Sequence, residues 1–159
     1  MTAHLAAAAS PTQGMTDCVF CRLLSGELPA TFLFRDDQVA AFMDIQPVNP
    51  GHVLVIPVRH GAQLADIDEE TAAHLMRVGH RAAAALRESG VKCEGINFFL
   101  ADGKAAMQEV FHVHLHVFPR FAGDGFGLRF GPNYKQLPPR TALELAGAQI
   151  RGALDRSGT

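Results

Sequence analysis

The segment Phe111-His112-Val113-His114-Leu115-His116-Val117 carries a histidine at every second position. Strand side chains alternate between faces, so this spacing sends three imidazoles to one side and Val113, Leu115 and Val117 to the other. A buried polar group without a partner costs roughly 1–3 kcal/mol, and three of them on one face are better explained by chemistry than by packing. Imidazole offers two kinds of chemistry. It ligates metal, as alternating histidines do in some zinc hydrolases, or one ring attacks phosphorus or carbon while its neighbours orient it. The local pattern leaves both open. Cys18 and Cys21 form a C-x-x-C pair, half of a zinc site and a weak motif by itself. No thioredoxin-like βαβ pattern surrounds it to suggest a redox pair. Cys93 lies in a polar turn with no partner visible in the sequence.

The elements that must position these residues follow from hydrophobic period and turn chemistry. Asp17 is placed to cap a short helix running to about Ser25, with Gly26 as its stop. Phe32 to Arg35 and Val39 to Ile45, separated by Asp36 and Asp37, read as a hairpin. His52 to Ile56 is dense in β-branched residues and reads as a central strand ended by Pro57. Asp68 to Ser89 has the apolar period of a long helix, with acidic residues at its start and Gly90 beyond its end. Gly95 to Leu100 and Val110 to Phe118 read as two further strands, and Pro138 to Leu154 as a helix opening on prolines. Hairpins beside one long helix make an α+β domain with a mostly antiparallel, five-stranded sheet and short terminal helices.

Composition bounds the partners. With 159 residues, 48% of them hydrophobic, the chain has the apolar content for one compact core without disulfide staples. A formal net charge of −2 gives no electrostatic reason to expect nucleic acid or an anionic membrane as partner. No run of about 18 apolar residues argues for a membrane span. Three cysteines without a secretory signature fit a reducing compartment, and a cytoplasmic location is the expectation. Residues 1–16, Ala-rich but without a basic and apolar leader pattern, read as a disordered tail.

The pattern His112-Val113-His114-Leu115-His116-Val117 resembles the signature of the histidine-triad (HIT) superfamily of nucleotide hydrolases and transferases. The likeness extends to Phe42-Met43-Asp44-Ile45-Gln46-Pro47, to Pro50-Gly51-His52-Val53-Leu54-Val55-Ile56-Pro57 with His60, and to Asn97, Gln108-Glu109-Val110 and Pro119-Arg120. It implies a HIT-like fold over residues 17–130, with 131–159 as a C-terminal extension whose helix packs on the same domain. By the same resemblance His114 is the nucleophile and forms a nucleotidyl-histidine that water hydrolyses. His116 and His52 stand beside the phosphate as donors, and Gln108 contacts the leaving group. Asp44 accepts the ribose hydroxyls, Asn97 belongs to the nucleotide site, and Phe20, Leu23, Phe42 and Ile45 enclose a purine base. For Leu23 and Ile45 plain core packing is an equal alternative.

Bacterial-type members complete the cysteine pair with a histidine after the I-P strand and with the first triad histidine. Here those are His60 and His112, giving a Cys2His2 structural Zn2+ site and no organic cofactor. The resemblance also implies a homodimer. Two substrate classes stay open, nucleoside phosphoramidates and dinucleoside polyphosphates, as do a three-histidine zinc hydrolase and a nucleotide-binding regulatory protein with little catalysis. The last is kept by the first of two departures from the pattern. Met107 stands where glycine usually precedes the glutamine, and Asp102 where asparagine is common, adding bulk and negative charge beside the phosphate path.

Overall fold

In a computed structural model the described residues are 17–157, so the expected tail lies outside them. They fall in two compact units, one ending at Gly125 and one beginning at Phe126. The first unit contains helix α1 (Val19–Leu24), strands β1 (Phe32–Arg35), β2 (Val39–Met43) and β3 (Val53–Pro57), helix α2 (Glu69–Glu88), and strands β4 (Gly95–Leu100) and β5 (Leu115–Arg120). All pairings are antiparallel, in the order β1-β2-β3-β5-β4. This is the α+β architecture expected.

Alternation along β3 divides the core. Val53 and Val55 join Val39, Ala41, Leu115 and Val117 under α2, while Leu54 and Ile56 join Ala40, Phe42 and Phe20 on the α1 side. The strand is buried throughout, which is why its sequence is a continuous apolar run. Asp68 starts α2 by accepting the Thr71 N–H at 2.8 Å, and Glu69 and Glu70 complement the positive end of the helix dipole. Gly79 in mid-helix is explained by close approach: a Cβ there would lie 2.9 Å from Leu115 Cδ2. One row across the sheet reads Phe42, Leu54, His116, Phe99, so the third triad histidine stands on the α1 face.

Three boundaries differ from expectation. Helix α1 is preceded by Cys18 as its N-cap, with no side-chain cap, so Asp17 does not cap it. The second hairpin strand ends at Met43, short of Ile45. The histidine strand begins at Leu115, and the register with β3 stops at Val55–Leu115. Upstream, His112 N–H donates to the Val110 carbonyl at 2.9 Å, a tight bend that breaks the ladder. Val113 N–H is bonded to the Gly61 carbonyl at 2.8 Å instead of to β3.

The second unit carries helix α3 (Arg140–Ser157), which starts just after Pro138 and Pro139 and has an Arg140–Glu144 ion pair of 2.9 Å one turn apart. Among the described residues no helix is long and apolar enough to cross a membrane.

Candidate active site and metal centre

Four ligand-type side chains from three parts of the chain meet at the start of α1. Cys18 and Cys21 come from its first turn, His60 from the segment after β3, and His112 from the bend before β5. His112 Nδ1 lies 3.4 Å from Cys18 Sγ, 3.7 Å from Cys21 Sγ and 3.3 Å from His60 Nδ1, and Cys21 Sγ lies 3.4 Å from His60 Nδ1. Ligands of a tetrahedral zinc, at about 2.0–2.3 Å from the ion, stand roughly 3.3–3.8 Å from one another. His112 Nε2–H donates to the Pro57 carbonyl at 2.9 Å, which leaves Nδ1 with its lone pair toward the cysteines, the outer hydrogen bond that metal-binding histidines use. Burial holds His112 down at about 4, so the ring is neutral at physiological pH. Burial and the adjacent Cys18 push the Cys21 thiol up to about 12, so a cation is needed to make it a thiolate ligand. The donor set fits a structural zinc.

The next histidine along the chain is oriented by backbone. His114 Nδ1 stands 2.6 Å from the His112 carbonyl, which only accepts, so the proton sits on Nδ1 and Nε2 keeps its lone pair. The Phe20 ring contacts both His112 and His114 edge-on, with centroids 5.8 and 5.3 Å away. His116 follows with its centroid 4.8 Å from that of His114.

His52 and His116 form a directed pair. Val48 N–H donates to His52 Nδ1 at 3.1 Å, placing the His52 proton on Nε2, which lies 3.0 Å from His116 Nδ1. His116 Nδ1 therefore accepts, and its proton is on Nε2. Burial keeps both rings neutral: His116 is held at about 4, lowered further by the adjacent His114 and His52, and His52 is lowered against the opposing charge of Asp44. The three triad rings do not gather about one point, because His112 groups with the cysteines and His60, His116 with His52 and Asp44, and His114 with neither.

The other expected site residues are placed as follows. Asp44, at the end of β2, accepts the Gln46 N–H at 2.9 Å and has its second oxygen 3.5 Å from His52 Nδ1. Gln108 is buried and its amide holds the loop: Nε2–H donates to the Ala62 and Val110 carbonyls at 2.6 and 3.1 Å, and Oε1 accepts the Gly103 N–H at 2.7 Å. Asn97 Oδ1 accepts from Arg120 at 2.6 Å, one row beyond His116 on the same face. Phe20 and Phe42 are buried against each other, Leu23 is half-buried in the α1 cluster, and Ile45 is 92% exposed, which removes core packing as its explanation. Met107 has φ +68°, a left-handed conformation, and Asp102 spends a carboxylate oxygen on the Leu64 N–H at 2.9 Å.

The sequence model of the HIT domain matches residues 25–123. The chain belongs to the HIT family. An uncharacterised HIT-like protein of Borreliella burgdorferi is 42% identical over 118 residues, which are 74% of this chain and 85% of that protein. The adenosine 5′-monophosphoramidase of Saccharomyces cerevisiae is 40% identical over 103 residues, 65% of this chain and 62% of the yeast protein. Among solved structures, a Streptococcus mutans protein aligns with a TM-score of 0.80 at 33% identity, covering 97% of this chain and 93% of that one. A zinc-bound histidine triad protein of Mycobacterium smegmatis aligns with a TM-score of 0.68 at 42% identity, covering 87% and 99%.

Two side chains of this HIT domain went unnoticed in the sequence. Asn49 is buried and donates to the Pro119 carbonyl and to Asp124, both at 2.9 Å. Asp124, 3% exposed, also binds Arg120 through two bonds of 2.5 and 3.0 Å. Asn49 reads only as a turn residue between Pro47 and Pro50, and Asp124 has no local pattern at all.

Proposed function

We propose that this HIT protein hydrolyses a nucleoside phosphoramidate at its α-phosphorus through a covalent intermediate on His114. The observation that carries the reading is the fixed tautomer of His114, whose Nδ1–H is bound to the His112 carbonyl. The opposite nitrogen, Nε2, is thereby the one whose lone pair is left to attack phosphorus. In the first step Nε2 forms a bond to phosphorus as the phosphorus–amine bond breaks, and the amine departs with a proton taken from solvent, which the attacking water of the second step returns. Water then cleaves the nitrogen–phosphorus bond, giving the nucleoside monophosphate and free His114. His116 Nε2–H is a neutral donor toward the phosphate oxygens as charge grows on them, and the proton that His52 lends to His116 Nδ1 keeps it so. Asp44 accepts the ribose hydroxyls. The names of the Saccharomyces cerevisiae and Candida albicans relatives, both adenosine 5′-monophosphoramidases, favour the phosphoramidate class.

Cys18, Cys21, His60 and His112 would hold one zinc ion, which supplies structural cross-linking of α1, the segment after β3 and the histidine segment. The zinc-bound Mycobacterium smegmatis neighbour supports that identity of the metal. A homodimer is part of the same reading, supported by the half-exposed Phe98 and Phe99 on the edge strand β4. The experiment that tests the function is turnover of an adenosine monophosphate–amine conjugate measured beside a diadenosine polyphosphate. Preference for the conjugate supports the proposal, and hydrolysis of the polyphosphate alone reassigns the substrate class.

A further inference from the structure

His52 Nδ1 has two competitors. The Val48 N–H donates to it at 3.1 Å, and Asp44 Oδ2 stands 3.5 Å away as an acceptor. With Val48 in place the nitrogen is unprotonated and the His52 proton goes to Nε2. Without it, a proton on Nδ1 gains a charge-assisted bond to the Asp44 carboxylate. The choice propagates. If His52 Nε2 loses its proton, it becomes an acceptor, and His116 must turn its own proton to Nδ1 to keep the 3.0 Å bond. His116 Nε2 then faces the site as a lone pair rather than a donor.

The Val48 amide is held by the turn Gln46–His52, and Asn49 is its anchor. Its side chain is bonded to the Pro119 carbonyl at the end of β5 and to Asp124, and its own carbonyl accepts the His52 N–H at 3.1 Å. Asp124 is in turn gripped by Arg120, which reaches Asn97 on β4. The turn is thereby fastened to the strand that carries His116. We infer that Asn49 is a positioning residue that sets the direction of the His52–His116 hydrogen bond, and so keeps His116 Nε2 a donor toward an anionic phosphoryl group. Asn49 touches no reacting atom and acts through Val48 and His52.

The inference rests on the proposed function only for its catalytic consequence, so the decisive readout is spectroscopic. In the 15N NMR spectrum of the labelled full-length protein at neutral pH, His52 and His116 should both carry their proton on Nε2. Asn49→Ala should shift both toward Nδ1–H, and Val48→Pro, which deletes the amide donor while leaving Asn49 intact, should do the same. With the phosphoramidate as substrate, kcat should fall about tenfold to a hundredfold, the scale of a lost transition-state donor, with KM within about twofold. If Asn49→Ala does not fold, Val48→Pro decides. Folded variants that keep the wild-type tautomers overturn the inference, as does a wild type with His116 protonated on Nδ1. Tautomers that shift as expected in a protein that does not cleave the conjugate sustain the positioning role and overturn the proposed reaction instead.

Discussion

The backbone carbonyl of His112 accepts the Nδ1–H of His114 at 2.6 Å. One residue thus faces two centres. Its ring is turned toward Cys18, Cys21 and His60, and its carbonyl decides which nitrogen of the next histidine carries a proton. Its other ring nitrogen is tied to the Pro57 carbonyl at the end of β3. Whatever fixes the His112 backbone therefore fixes the tautomer of His114, the proposed nucleophile.

The purified protein should carry about one zinc per chain, by elemental analysis of protein prepared without chelator. Cys18→Ser should abolish retention, and stripping the metal should lower stability by about 3–4 kcal/mol relative to free zinc at a hundred to a thousand times its Kd. Metal-free protein with unaltered melting temperature would remove the Cys2His2 assignment.

Met107 is the one non-glycine residue with positive φ among the described residues, and its side chain is 74% exposed. A left-handed backbone costs about 1–2 kcal/mol for a residue with a Cβ, whereas glycine pays about 0.5–1 kcal/mol of extra chain entropy. Met107→Gly should therefore stabilise the protein by about 0.5–1 kcal/mol in urea unfolding, with Met107→Ala giving none of the gain. Destabilisation by the glycine would show that the methionine side chain packs in solution.

Acid should weaken the fold in a definite window. His116 is held at about 4 and His52 is lowered, in both cases mainly by burial, while an unfolded chain has both near 6.5. Between those values the unfolded chain binds more protons, so stability falls as pH falls. The contribution is complete above about pH 6.5 and is lost on descending toward about pH 4. Melting temperature should be flat above this range and decline within it, and His116→Gln should make the decline shallower. An identical slope in that variant would place the sensitivity elsewhere.

Asp44→Ala should weaken ribonucleotide binding by roughly 1–3 kcal/mol, the scale of lost hydrogen bonds to a charged group. Calorimetry with a 2′,3′-dideoxy analogue provides the control. An equal loss toward the analogue would assign Asp44 to the Gln46 turn alone, where one of its oxygens is already engaged.

The parts of this molecule that were legible in the sequence are those with local signals. The β-branched run of β3 and the Asp68 cap and acidic first turn of α2 lie within the residues that form them. The histidine segment stood out by its spacing and was misread in its backbone. Val110 to His114 has the composition of a strand, but the Pro57 carbonyl that would continue the ladder is taken by the His112 imidazole, and no sequence period records that exchange. Gln108 shows the same limit. Its amide suits a phosphate, yet in the structure it holds Gly103 and Val110 of its own loop and Ala62 in the segment after β3. Asn49 and Asp124 meet across 75 positions, and only the fold brings them together.

The covalent role of His114 is the sharpest test, because it separates a nitrogen that becomes bonded to phosphorus from one that only positions water or metal. His114 belongs to neither ligand group, so His114→Gly should retain zinc at the wild-type level. Asp44, Phe20 and Phe42 keep their side chains in this variant, so a nucleoside monophosphate should still bind with nearly the same affinity while turnover falls by about four orders of magnitude or more. Rapid quench of the wild type in alkaline denaturant, with substrate labelled at the α-phosphorus, should trap label on the protein. That label should be stable to base and released by acid, as a phosphorus–imidazole bond is, and it should be missing from His114→Gly. If the wild type traps no label, and the variant loses metal together with activity, then His114 serves a metal-bound water and the nucleophile has been wrongly assigned.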